Sequence, residues 1–129
     1  MSDYDTGLQI RREVVGDEYV DAVLAHQDDF TGPFQDFITR YAWGEVWARP
    51  GLDRRTRSCL TVALLAALGR DRELAIHIEG ALRNGVTPDE LREVLIHTAI
   101  YAGVPAANSA FAVAHPLLAK ARGEQPEKT

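Results

Sequence analysis

Two histidines, His77 and His97, sit in stretches that are otherwise largely apolar, His77-Ile-Glu-Gly-Ala-Leu and Glu93-Val-Leu-Ile-His97-Thr-Ala-Ile-Tyr101. Imidazole donates, accepts and changes charge near neutral pH, which suits proton transfer. A single histidine on an apolar face is more often a core residue with a satisfied partner. Two of them on consecutive helices joined by a tight turn shift the balance toward chemistry. A metal centre is the obvious competitor, but zinc needs about three or four protein ligands. Glu73, Glu79 or Glu45 would have to join the histidines, and no His-Glu-x-x-His or cysteine pair is present. No metal is expected.

Glu45 lies between Trp43 and Trp47. If the indoles bury it, the protonated acid is favoured and Glu45 can hold a proton. The competing reading is an exposed loop carboxylate paired with Arg49. Arg49, Arg54, Arg55 and Arg57 form a basic cluster at a helix start, where the macrodipole disfavours cations. That misfit suggests that at least one arginine is kept to grip a carboxylate in bidentate fashion, and Arg57, placed where the helix turns apolar, is favoured. Tyr101 is either core or a hydroxyl donor, and Asn108 sits one turn into the last helix. Cys59 reads as a buried inert thiol. His26 and His115 receive no role.

The elements that must position these groups are helices. Residues 4–15 form a moderately amphipathic helix ending near Gly16, and Asp17 can cap a short second one. Residues 26–29 mark a break, and Gly32-Pro33 opens a segment with Phe34, Phe37, Ile38 and Tyr41 on one apolar face. Trp43 to Gly51 reads as an unusual connection closed by Pro50-Gly51. Asp53 can cap a helix over residues 54–68 that is apolar almost all round after Ser58, so part of its burial is expected from another subunit. Asp71 can cap the helix carrying His77, in which Leu74, His77, Ile78, Ala81 and Leu82 share a face. Thr87-Pro88-Asp89-Glu90 is a capping box with proline at the first helical position. In the helix it opens, Leu91, Val94, Leu95, Thr98, Tyr101 and Ala102 point inward, and the second half should be fully buried. An alanine-rich helix runs from Pro105 to about residue 122, with Pro116 expected to kink or end it. The tail from about residue 123 is polar. The expectation is a single all-α domain over residues 1–129.

Composition agrees. Apolar residues make up 46% of the 129 and charged ones 26%, as in a globular chain with a real core. Lys plus Arg number 14 against 19 Asp plus Glu, a formal charge of -5, so neither nucleic acid nor an anionic membrane is an expected partner. One cysteine excludes an intramolecular disulfide. The N-terminus is polar and the longest apolar run is too short to span a bilayer, so a cytoplasmic location is expected.

Taken in order, the motifs resemble the carboxymuconolactone decarboxylases of the protocatechuate branch of the β-ketoadipate pathway. They are Asp36-Phe-Ile-Thr-Arg40 leading into Trp43-Gly-Glu-Val-Trp47, then Arg49-Pro-Gly-Leu52, Arg55-Thr-Arg-Ser58, and His77 with Asn84-Gly-Val-Thr87. Glu93-Val-Leu-Ile-His97 and Tyr101-Ala-Gly-Val-Pro-Ala-Ala-Asn108 complete the set, and the opening Arg11-Arg12-Glu13-Val14 with Gly16-Asp17 fits too. No single motif is diagnostic; their order is. The resemblance implies a helical bundle of about six to seven helices of the alkyl hydroperoxidase D-like fold, assembled as a homo-oligomer, commonly a hexameric ring. The superfamily's peroxidases carry Cys-x-x-Cys-x-x-x-His. With that histidine on His77, Arg70 and Glu73 stand where the cysteines would be, so peroxidase chemistry is not expected.

The implied reaction is decarboxylation of γ-carboxymuconolactone to the β-ketoadipate enol-lactone. Electrons left by carbon dioxide run through the double bond onto the lactone carbonyl, so the substrate is its own electron sink and no cofactor is required. The resemblance assigns donor and proton-delivery roles to His77 and His97. Glu45 would orient a histidine or act as the acid. Arg57, with Arg49, would hold the retained carboxylate beside Trp47, Tyr101 and Asn108. The alternatives are a decarboxylase of a related lactone or small carboxylate, a ligand-binding member of the same fold, and a thiol peroxidase.

Overall fold

A computed structural model describes residues 2–123. The polar tail expected from about residue 123 lies outside them, apart from Gly123. The helical periodicity is realised throughout: α1 (Asp3–Val15), α2 (Asp17–His26), α3 (Gly32–Ile38), a π-helical segment (Thr39–Val46), α4 (Arg54–Leu68), α5 (Asp71–Arg83), α6 (Pro88–Ala102) and α7 (Val104–Ala121). No strand occurs among the described residues, so the all-α class expected from the sequence is the one found. The described residues form two compact units, divided between Arg54 and Arg55.

In the first unit, Ser2 caps α1, its Oγ accepting from the Asp5 N–H at 3.1 Å. The cap of α2 is Gly16, not Asp17, which enters the first turn and pairs with Arg12 at 3.2 Å. Asp28 breaks the chain as expected, its Oδ1 accepting from the N–H groups of Phe30 and Thr31 at 2.9 Å each. α1 lies along the π segment. A Cβ added at Gly7 would stand 2.9 Å from the Gly44 nitrogen and closer still to the Thr39 carbonyl oxygen, while one at Gly44 would clash with the Asp3 carbonyl. Only glycine permits so close a crossing.

Two expectations for this unit need correction. The stretch from Trp43 to Val46 is helical, not a connecting loop. Phe34, Phe37 and Tyr41 do not form a buried face; they are exposed. The buried positions are Thr39 and Trp43, with Gln35, Ile38 and Ala42 half-buried at the matching spacing. α1 is met by that face, and the aromatic stripe is turned away.

The second unit has one core, built by Val62 and Ala66 of α4, Leu74, Ile78 and Ala81 of α5, Leu91 and Leu95 of α6, and Ala110 and Ala114 of α7, with Val86 from the α5–α6 turn. Alanine on α7 lets its neighbours approach closely. The capping box at Thr87 and Glu90 is made in both directions, with Pro88 at the first turn. Asp71 does not cap α5: the cap position is Arg70, which makes no side-chain cap bond. Pro116 does not end α7, which runs on to Ala121. Losing one backbone bond is tolerable because Leu117 and Leu118 pack on the core immediately beyond it. The second half of α6 is not fully buried either. Leu91, Leu95 and Thr98 are buried, but Ile100 is 75% and Tyr101 81% exposed. On α4, likewise, Ser58, Val62 and Ala66 are buried while Leu60, Leu64 and Leu68 form an exposed apolar row.

Candidate active site

In the second unit, His77 projects from α5 at a half-buried position beside Ile78, which is buried in the core. His97 is exposed on α6, one turn before Tyr101, and their rings lie 5.1 Å apart. Around them Ile96, Ile100 and Val104 are also exposed. The core faces of α5 and α6 are taken by aliphatic residues, so His97 and Tyr101 sit on an apolar surface that none of the described residues covers. Asn108, early in α7, is exposed.

The arginines at the start of α4 divide their work. Arg54 reaches Glu13 at 3.0 Å within the first unit. Arg55 makes the bidentate carboxylate grip expected somewhere in this cluster, to Glu90 at 3.1 and 2.5 Å, and also donates to the Gly85 carbonyl. The Arg55 hydrogen bonds, aided by the Thr87 N–H, push the Glu90 carboxyl down to about 2. The charge misfit at this helix start is thereby answered within the chain. Arg57 is half-buried further along α4, and its carbonyl accepts from Thr61 Oγ1 at 2.8 Å. Ser58, 1% exposed, accepts from Asn84 Nδ2 at 2.9 Å and so ties α4 to the end of α5. Sequence reasoning missed this pair, treating Asn84 only as a helix-ending residue.

In the first unit, Trp43 and Trp47 stack on one another with centroids 5.0 Å apart. They do not enclose Glu45, which is exposed and pairs with Arg49 at 3.9 Å. The pairing expected of a loop carboxylate is therefore present, but on a π-helical turn. π turns in a helix are uncommon and concentrate at functional sites. Gly7, Gly44 and Thr39, which shape this turn, were not singled out from the sequence. A glycine inside each helix was the available signal.

Cys59, the chain's one cysteine, is half-buried against the second unit's core. Among the described residues, no three His, Cys, Asp or Glu side chains converge as a metal-binding group, and no helix is long and apolar enough to cross a membrane.

His77 and His97 can each donate or accept a proton, and Arg57 can bind a carboxylate. Similarity to known proteins narrows the chemistry. The chain is 50% identical to the 4-carboxymuconolactone decarboxylase of Acinetobacter baylyi over 125 residues, 97% of this chain and 92% of that protein. It is 46% identical to nitrosuccinic acid decarboxylase npaB of Metarhizium robertsii over 110 residues, 85% of this chain and 77% of that one. A 42-residue match to a 4-carboxymuconolactone decarboxylase of Pseudomonas putida, 52% identical, covers 33% of this chain and 88% of that sequence. The model of the carboxymuconolactone decarboxylase family matches residues 32–116, and the chain belongs to that family.

Proposed function

We propose that this chain decarboxylates γ-carboxymuconolactone to the β-ketoadipate enol-lactone, in the catabolism of protocatechuate. The observation that carries this reading is the near-full-length match to the Acinetobacter baylyi enzyme. Breaking the bond to the departing carboxylate sends two electrons through the ring double bond onto the lactone carbonyl oxygen. A protein catalysing this has three tasks: to hold the retained acetate carboxylate, to donate hydrogen bonds to the forming dienolate oxygen, and to deliver a proton to the carbon α to it. Carbon dioxide leaves as a neutral molecule, and the electron sink is in the substrate, so no cofactor enters the proposal.

His77 and His97 take the donor and proton-delivery roles, and Glu45 supplies a carboxyl for the same proton transfer. Arg57, with Arg49, holds the retained carboxylate. Trp47, Tyr101 and Asn108 contact the substrate. We further propose a homo-oligomer, trimeric or hexameric. The exposed row of Leu60, Leu64 and Leu68, and the apolar surface around His97, support it, because faces this apolar are normally covered. A dry site near His97 would then be completed on assembly. A cytoplasmic location suits an enzyme of a soluble catabolic intermediate.

The test is to generate γ-carboxymuconolactone in place with the enzymes that precede it, add chelator-treated protein, and follow carbon dioxide release. Release well above the spontaneous rate is expected. His77→Ala and His97→Ala should each lower turnover by about 10²- to 10⁴-fold, the usual worth of a positioned acid or base. Near-normal turnover in either variant removes that histidine from the mechanism. The nitrosuccinic acid decarboxylase at 46% identity favours one second reading, a decarboxylase of another small carboxylate. In nitrosuccinate the nitro group would be the electron sink. Comparing the two substrates at equal concentration decides between the readings.

A further inference from the structure

Arg11 is the one charged residue buried among the described residues, at 4% exposure. Its Nη1 donates to Thr39 Oγ1 at 3.2 Å and its Nη2 to Gln35 Oε1 at 3.1 Å, while Nε is buried with no acceptor. Neither acceptor is a carboxylate. Burying a guanidinium among neutral groups is costly, and it pushes the Arg11 pKa down, partly offset by Tyr19 and Tyr4. A group kept at that cost normally imposes a geometry.

The geometry is at hand. Thr39 is 2% exposed and is the first residue of the π-helical segment. Its hydroxyl accepts from Arg11 and donates to the Gln35 carbonyl at 2.7 Å, one turn back. At the other end the Trp47 N–H reaches the Ala42 carbonyl, five residues back, at 2.9 Å. A π register displaces every later side chain by one residue relative to an α-helix, a rotation of about 100°. Were the segment to relax to an α-helix, Glu45 and Trp47 would face elsewhere.

We propose that Arg11 is a positioning residue: acting through Thr39 and Gln35, it locks the π register that aims Glu45 and Trp47. The functional half of this inference rests on the reading that those two residues serve the decarboxylation. The register half does not.

The chain's two tryptophans, Trp43 within this segment and Trp47 at its C-cap, stack at 5.0 Å, so the sign and size of their exciton-coupled circular dichroism report their mutual angle and with it the register. Arg11→Gln and Thr39→Val should both change that couplet in sign or size, while far-ultraviolet helicity is largely kept. In the decarboxylation assay kcat should fall about 10- to 100-fold, as expected for misplaced groups, with KM moved little. Thr39→Ser, which restores the hydroxyl, should recover both signals. If Arg11→Gln fails to fold, Thr39→Val, which removes a single hydroxyl, carries the test. An intact couplet in Thr39→Val overturns the lock. A changed couplet with unchanged kcat overturns the positioning role; Glu45→Gln and Trp47→Phe measured alongside then show, by their own normal kcat, that the fault lies in the proposed roles of those residues.

Discussion

Replacing Gly7 by alanine tests the contact on which the first unit is built. The added Cβ would sit 2.9 Å from the Gly44 nitrogen, where ordinary contact begins at 3.4 Å, and nearer still to the Thr39 carbonyl oxygen. α1 would have to retreat from the π segment by at least half an ångström, and the obstacles are backbone atoms that cannot rotate away. Overpacking of this kind costs about 1–3 kcal/mol, and an unyielding neighbour puts Gly7→Ala at the upper end. Alanine returns about 0.5–1 kcal/mol through its better helix propensity. The net loss should be about 2 kcal/mol, roughly a thirtyfold fall in the folded-to-unfolded ratio. Gly32→Ala is the control, since nothing lies within 4 Å of its Cβ position, and it should change stability by less than about 0.5 kcal/mol. Urea unfolding followed by tryptophan fluorescence suits both, because both tryptophans lie in or next to the π segment. A Gly7→Ala midpoint equal to that of Gly32→Ala would refute the close-crossing argument.

Other outcomes follow from the second unit. Because the folded Glu90 carboxyl is held at about 2 against an ordinary 4.5, its contribution is present above the ordinary value and lost as pH falls toward about 2. Unfolding measured across that window at low salt should show a shallower acid limb in Glu90→Gln than in the parent; identical limbs would dismiss the Arg55 clamp. Thr87→Ala removes the cap bond to the Glu90 N–H at 3.1 Å and should cost about 1 kcal/mol, read by thermal melting. Leu74 is fully buried in the core, and Leu74→Ala should cost about 2–5 kcal/mol in urea unfolding. A cost below 1 kcal/mol would mean that the site collapses around the missing atoms.

What could be read from the sequence was local or collective. The Thr87–Glu90 box is a property of four adjacent residues, and Asn84-Gly85 closes α5 because glycine accepts the positive φ of 89° found there. Motifs spread from Arg11 to Asn108 identify the family because together they leave little room for coincidence. Asp17 and Asp71 are the first residues inside their helices rather than the caps, because either side of a helix start can hold an acidic residue. Outside the chain's own neighbourhoods the sequence was silent. Periodicity finds an apolar stripe but does not say what covers it, so Phe34, Phe37 and Tyr41 looked like core, as did the end of α6. Spacing alone could not tell that Arg55, rather than Arg57, grips a carboxylate of the same chain, since its partner Glu90 is remote in sequence.

The sequence by itself determined the helical class, the helix boundaries set by turns and caps, and the family, all of which depend on short-range chemistry or on motif order. The tertiary structure decided the face each helix presents, the partner each arginine holds, and the π register at Thr39–Val46. A π turn rotates the later side chains by about 100° but carries no spacing signal of its own in the sequence, and the close approach of Gly7 and the reach of Arg11 from another helix select it.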